Sequence, residues 1–249
     1  MFNIFKKKPQ ERPALFFKTD MHCHLVPGID DGQKTAEGGA ELVAKEKSWG
    51  IERIICTPHI TQDTFENTPQ TIGPAFQALK KAVENLGIDI SLEYSEHRLD
   101  NFFSGQLEKG AITPMPNNFL LVENSFVQEA WNLDRTLFDL ALKGFRPILA
   151  HPERYSYYYD KPQRYEQLHT AGTLFQINLL SLAGYYGKSE KKTAEWLIEK
   201  GFADFVGTDM HNMRHCEAIE AYIGSKDYYR HAKALKSRLF NDKVFEAKP

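Results

Sequence analysis

The sequence predicts an α/β fold, a single closed βα barrel of seven strands with a metal site at the carboxyl ends of the strands. Three observations predict it. Short apolar segments rich in β-branched and aromatic residues recur along the chain, each followed by a longer stretch with helical spacing or helix caps. The 249 residues suit one α/β barrel, and no Pro/Ser-rich linker divides them. Side chains of His, Asp and Glu gather at the predicted strand ends, the face where such barrels build active sites.

The strands are read at residues 15–20, 51–57, 90–96, 119–123, 147–151, 174–179 and 204–208. Helices are read at 35–49, 69–86, 130–143, 163–170 and 190–200, with closing helices after Cys216 and Lys226. Thr68 before Pro69 is an N-cap followed by proline in the first turn, and Gly87, Gly144, Gly172 and Gly201 stand where helices stop. Residues 101–116 carry glycine and proline breaks with weak periodicity and read as irregular loop, with room for one short helical turn. Residues 1–14, with Lys6, Lys7 and Lys8, read as a flexible basic tail, and 15–249 as one catalytic domain.

Thirty-one basic against 33 acidic side chains leave a formal net charge of −2, which supplies no field for nucleic acid or an anionic membrane. Apolar runs such as Phe119 to Val122 stop far short of the ~20 residues that span a bilayer. The start lacks a secretory apolar stretch. Cys23, Cys56 and Cys216 form no Cys-x-x-Cys pair, which argues against a disulfide framework and a thiolate zinc site. A reducing cytoplasm fits this usage.

His22 and His24 follow the first strand, and period-two alternation sends both imidazoles to one side. His59 follows the second strand, Glu96 ends the third, Glu123 the fourth and His151 the fifth, while Asp209 and His211 follow the seventh. The sixth offers Asn178 instead. Asp30 and Asp31 lie on the loop after the first strand, bringing the inventory to five histidines and up to five carboxylates. Imidazole mixed with hard oxygen suits Mn, Fe or Zn, and a set this large suits two or three ions. Arg154 and Arg214 each stand three residues beyond a strand-end histidine, and a guanidinium fork beside metals suits a phosphate oxyanion.

Competing motifs fail. The residues six beyond the three cysteines are Ile29, Gln62 and Tyr222, so no Cys-x5-Arg phosphatase loop is encoded. Gly187-Lys188-Ser189 resembles the end of a nucleotide P-loop, but Leu182 holds its first glycine position. The run Tyr155 to Tyr159 reads either as an aryl-substrate contact or as a packed, tyrosine-rich loop. His97, His169 and His231 read as surface or helix residues, and His215 as a further pocket candidate.

At the segments Asp20 to Gly32, Thr57-Pro58-His59, Glu96, Glu123, Ala150 to Arg154 and Asp209 to Asn212, the chain resembles the polymerase and histidinol phosphatase (PHP) family. Within it, the resemblance is to the bacterial tyrosine-protein phosphatase branch tied to capsular and exopolysaccharide synthesis, and it implies a distorted seven-stranded βα barrel. The resemblance implies His22, His24, Glu96 and Asp209 at a first metal, Glu96, Glu123 and His151 at a second, and Asp31, His59 and His211 at a third, with Asp30 the alternative to Asp31. It implies two or three divalent ions, manganese preferred and iron or zinc as alternatives. The implied reaction is hydrolysis of a phosphomonoester by metal-activated hydroxide, with Arg154 and Arg214 on the phosphoryl oxygens. The implied substrate is a phosphotyrosine protein, the C-terminal tail of a membrane tyrosine kinase. Cys23 and Thr208 depart from an expected serine, and Glu123-Asn124-Ser125 from an expected Glu-Leu-Pro, without removing a ligand. Histidinol phosphate or another small phosphoester, an amide substrate, and a noncatalytic metal-stabilised interaction module are the rival readings.

Overall fold

The computed structural model describes residues 14–95 and 99–246; the expected tail, save Ala14, and Glu96 and His97 lie outside the described residues. The strands are β1 (Thr19–Asp20), β2 (Arg53–Cys56), β3 (Ser91–Tyr94), β4 (Phe119–Val122), β5 (Arg146–Ala150), β6 (Leu174–Asn178) and β7 (Phe205–Gly207). The helices are α1 (Ala36–Ser48), α2 (Pro69–Asn85), α3 (Asn101–Lys109), α4 (Leu133–Leu142), α5 (Pro162–Thr170), α6 (Leu179–Ala183), α7 (Lys188–Lys200), α8 (Met213–Ile223) and α9 (Lys226–Leu235). Each predicted strand is present within a few residues, and the chain is α/β with parallel sheets.

Pairing is parallel throughout, in the orders β1-β2-β3 and β4-β5-β6-β7. The two sheets meet just past β1 and β7, where Cys23 bridges Met210. There the Asp209 N–H donates to His22 O (2.8 Å) and the His24 N–H to Met210 O (3.0 Å). Among the described residues no ladder joins β3 to β4, so the expected closed barrel is not observed as one continuous hydrogen-bonded cylinder. The reason is local: the connection from β3 to β4 is interposed there, with the Leu99 N–H donating to Glu123 O (2.9 Å) and Ser95 Oγ to Thr113 O (2.9 Å) where a ladder between the strands would lie.

Side-chain alternation still gives the strands two apolar faces. Phe119 and Leu121 of β4, Ile148 and Ala150 of β5, Phe205 of β7 and Ile55 of β2 share one inner cluster drawn from both sheets. Leu120, Val122, Leu149 and Val206, one residue out of phase, pack instead in the larger cluster beneath the helices. Strands covered on both faces read as continuous apolar runs, which is why Phe119 to Val122 are all buried.

Below the β1/β7 seam, two polar side chains tie the ends of the chain together. Asn241 Nδ2 donates to Thr19 O (2.9 Å) and Val206 O (2.6 Å), while its Oδ1 accepts from the Val206 N–H (3.0 Å). Asp20 accepts from Thr208 Oγ1 (2.6 Å), the Thr208 N–H (3.1 Å) and the His22 N–H (3.3 Å). Burial pushes Asp20 up to about 6, against the pull of those bonds.

Two departures from the sequence reading have clear causes. Residues 101–109 are helical rather than loop because Phe103 and Leu107, one turn apart, are both buried and Asp100 Oδ1 accepts the Phe103 N–H (3.0 Å). Gly105, inside that helix, hid the signal. Residue 179 is not strand: β6 ends at Asn178 and α6 begins at Leu179, an apolar run that periodicity assigns equally to strand or buried helix. The four predicted glycine stops all adopt positive φ. No helix among the described residues is long and apolar enough to cross a membrane.

Glu46 of α1 is fully buried facing Asp20 and Cys23, and burial, then Asp20, pushes its carboxyl well above its ordinary value of 4.5. An acid raised on folding is favoured in its protonated form, so its contribution is full below pH 4.5 and is lost as pH rises towards the folded value. Glu46→Gln keeps the shape and cannot ionise. Urea unfolding of the chelated protein from pH 5 to 9 is expected to show the wild type losing stability with pH more steeply than the variant; parallel slopes would contradict a neutral buried Glu46.

Candidate metal centre

The candidate ligands converge because the strands end in abrupt backbone turns. His151, following β5, has φ 31° and Asp209, following β7, has φ 50°; both are non-glycine residues in the left-handed region. Such conformations cost of order 1–3 kcal/mol and persist where the surroundings enforce them, typically at functional sites. They swing the two side chains from the strand direction into the cup above the seam. The loop carrying Asp30 and Asp31 folds tightly over His24: a Cβ on Gly32 would lie 2.2 Å from His24 O. Only glycine tolerates that approach.

His22 Nε2, His24 Nε2 and Asp209 Oδ1 lie 3.2–3.5 Å from one another. Asp31 Oδ1 is 3.5 Å from both His59 Nε2 and His211 Nε2, and these join His24 in a second group with ligand atoms within 4.8 Å. Glu123 reaches His151 Nε2 through Oε1 (3.7 Å) and His59 Nδ1 through Oε2 (3.6 Å). The structure thus brings together His22, His24, Asp31, His59, Glu123, His151, Asp209 and His211. Glu96 lies outside the described residues. Asp31 faces the cup, whereas Asp30 is buried behind His24.

Outer hydrogen bonds aim the imidazoles. His24 Nδ1 meets Asp30 Oδ2 (2.8 Å), His211 Nδ1 meets Asp209 O (2.9 Å) and His22 Nδ1 meets Gln176 Oε1 (2.8 Å). Each partner is an acceptor, so each Nδ1 carries the proton and Nε2 is turned inward. Gln176 Nε2 donates to Asn178 Oδ1 (2.8 Å), and Asn178 Nδ2 to Asp209 Oδ2 (2.6 Å). β6, without a ligand of its own, therefore orients ligands from both sides of the seam.

The protonation pattern agrees with a cation site. Burial opposes charging His24, yet Asp30 and Asp209 raise it to about 10, so a proton occupies the point on which the donors converge. Burial and Arg154 push His151 well below its ordinary value, leaving it neutral. His211 with other groups draws Asp31 down to about 2, and against burial the flanking imidazoles hold Asp209 well below its ordinary value. Deprotonated carboxylates with neutral, inward-facing imidazoles fit a divalent cation, which would displace that proton.

A cavity of about 310 Å³ opens over these donors. Arg154 lines it, with Nη1 2.8 Å from Asp209 Oδ2 and its guanidinium between the rings of Tyr186 (3.9 Å) and Phe126 (4.6 Å). Larger clefts exist elsewhere, one of about 770 Å³ between α3 and α4, but the candidate ligands do not line it. Arg214 is not brought to the cavity: it is exposed on the first turn of α8, whose N-cap Asn212 fixes its backbone, and His215 lines the wall instead.

The tyrosine run belongs to the packing. Tyr155 and Tyr158 are buried, and the run fastens the β4–α4 connection: the Asn124 N–H donates to Tyr155 Oη (3.0 Å), Tyr157 Oη donates to Ser125 O (3.0 Å) and Tyr158 Oη to Glu129. Sequence reasoning missed Gln176, Phe126 and Tyr186. Gln176 had a signal, two polar residues at i and i+2 in the apolar strand Leu174–Asn178; the aromatics had none.

Replacing Gln176 with leucine removes the acceptor that fixes His22. Gln176→Leu is expected to weaken divalent-metal affinity about 10–100-fold in a chelator-competition titration. An unchanged affinity would remove β6 from the site.

The chain is similar in sequence and in fold to known proteins. Tyrosine-protein phosphatase YwqE of Bacillus subtilis (strain 168) is 29% identical over 241 residues, 92% of this chain and 94% of that protein. A solved structure from work on YwqE of Bacillus subtilis and CpsB of Streptococcus pneumoniae, described as unique metal-dependent tyrosine phosphatases, matches with a TM-score of 0.75 at 27% identity. It covers 89% of this chain and 95% of that one. An amidohydrolase from Mycoplasma synoviae shares the fold alone, with a TM-score of 0.56 at 12% identity over 94% of this chain and 87% of that one. The family profile for capsular polysaccharide synthesis, CpsB/CapC, matches residues 18–223, and the chain belongs to that family.

Proposed function

We propose that this protein is a metal-dependent protein-tyrosine phosphatase serving capsule or exopolysaccharide synthesis, built on a distorted seven-stranded βα barrel. The observation that carries the reading is Arg154 held over a converged set of imidazoles and carboxylates. Its substrate is phosphotyrosine in the tail of a membrane tyrosine kinase, met in the cytoplasm. His22, His24, Asp209, Asp31, His59, His211, Glu123 and His151, with Glu96, are the residues we assign to two or three divalent ions, manganese preferred. Such ions supply charge neutralisation on phosphoryl oxygens and lower the pKa of water.

The remaining chemistry rests on the chain. Arg154 offers a planar fork that binds two phosphoryl oxygens, and cation–π contacts to Phe126 and Tyr186 keep it aimed after it exchanges Asp209 for substrate. Burial, then Asp209, pushes Tyr186 above its ordinary value, so it stays protonated and can donate. Burial and His211 push His215 down, leaving it the uncharged imidazole near neutral pH. A tyrosine phenolate, with a reference pKa of ~10, departs with little acid assistance, which suits such a site better than an alkoxide ester.

Chelation is expected to abolish turnover of a phosphotyrosine peptide, and separate return of Mn²⁺, Fe²⁺ or Zn²⁺ to restore it; no activity with any of them would overturn the reading. Arg154→Ala is expected to lower kcat/KM roughly 10²–10³-fold while metal content, measured by elemental analysis, stays that of wild type.

A further inference from the structure

The connection between β4 and α4 exposes apolar side chains in an unusual way. Val127 is 84% and Trp131 89% exposed, next to Phe126, which is 45% exposed. Water-facing apolar residues on a loose loop would need no explanation, but this loop is anchored. Besides the tyrosine hydroxyls beneath it, Arg164 grips Glu129 through Nε and Nη2, both at 2.9 Å, and reaches Asp134 Oδ1 (2.7 Å). Asn124 Oδ1 accepts the Ala130 N–H (3.2 Å), and Ser125 Oγ accepts the Val127 N–H (3.1 Å). The segment holds apolar side chains in water on an anchored backbone, with Glu129 and Asp134 both engaged by Arg164.

The strip begins at the cavity. Phe126, which lines it, stacks on His151 (5.5 Å, 15°) and lies against Arg154, and Val127 is the next residue in the chain. Trp131 follows four residues later on the same anchored connection and lines the cleft between α3 and α4.

We propose that Val127 and Trp131 form a preorganised docking strip for the substrate polypeptide, selecting apolar side chains next to the phosphotyrosine. This rests on the phosphatase reading and adds to it: the cavity takes the phosphoaryl group, and the strip takes its neighbours. A rigid aromatic anchor loses little conformational freedom on binding, so recognition follows without rearrangement. The occupant is the substrate because the strip starts at Phe126, which lines the cavity over the converged donors, so a polypeptide whose phosphotyrosine enters the cavity meets the strip with the residues beside it.

The test uses the full chain with metal restored, the double variant Val127→Ser/Trp131→Ser, and three substrates. These are p-nitrophenyl phosphate and two labelled phosphotyrosine peptides of equal length and charge, one with leucine and phenylalanine beside the phosphotyrosine, the other with serine and glycine. The ratio of kcat/KM for the apolar peptide to that for p-nitrophenyl phosphate is expected to fall about tenfold in the variant, with the polar peptide's ratio unchanged. Fluorescence anisotropy of the same peptides on metal-free protein is expected to show the affinity loss without turnover. Equal losses on both peptides, or no loss in either measurement, overturns the proposal. A variant that changes only oligomeric state in light scattering assigns the strip to a second copy and also overturns it. If wild type hydrolyses none of the three substrates, the phosphatase reading fails, while anisotropy still decides the docking strip.

Discussion

The pairing of the chain just past β1 with the chain just past β7 is the constraint on which the rest of the molecule depends. His22 and Asp209 supply donor atoms 3.2 Å apart, and the same two residues are joined through their backbones. Asp20 and Asn241 pin this seam from below, each using one buried side chain to satisfy groups from both strands. Buried polar groups are costly unless paired, so these contacts specify one register: a one-residue slip would leave several of them unsatisfied and turn His22 and His24 to the other face. Gly207 belongs to the same constraint, since a Cβ there would lie 2.7 Å from His22 Cβ.

Above the seam, the division of labour is by protonation state. Neutral or anionic acceptors behind the imidazoles set which nitrogen faces inward, and the buried Asp209 facing them stays charged, held by the imidazoles and by Arg154. A proton on His24 offsets part of this negative charge, raised against burial by Asp30 and Asp209. The surroundings of Arg154 follow another rule, with two aromatic faces holding a guanidinium that is itself paired to Asp209. This lets one side chain keep its direction while its anionic partner changes.

How much of this was legible in the sequence depends on the interaction concerned. Strand ends were readable because ligand chemistry interrupts apolar runs abruptly, as at Glu123 after Phe119–Val122 and at His151 after Ala150. Helix stops were readable because glycine at positive φ is a local requirement. Gln176 and Asn178 were half-legible: their polarity is visible, but their partners come from strands far away in the chain. Phe126 and Tyr186 were not legible, since an aromatic residue in a loop is the same letter whether it packs on a core or on an arginine. Arg214 was read from a matching interval after a histidine, an interval that carries no information on burial, and it stands on an exposed helical turn.

The histidines nearest the N-terminus and the carboxylate that completes their triangle are separated by most of the polypeptide. At ribosomal speeds of ~5–20 residues per second, Asp209 emerges roughly ten to forty seconds after His22. During that interval the early imidazoles have neither their seam nor their anion. Loading with cations is therefore an event of the finished chain, and a truncated product of translation, however well its first sheet forms, carries half a chelator and no seventh strand to close it.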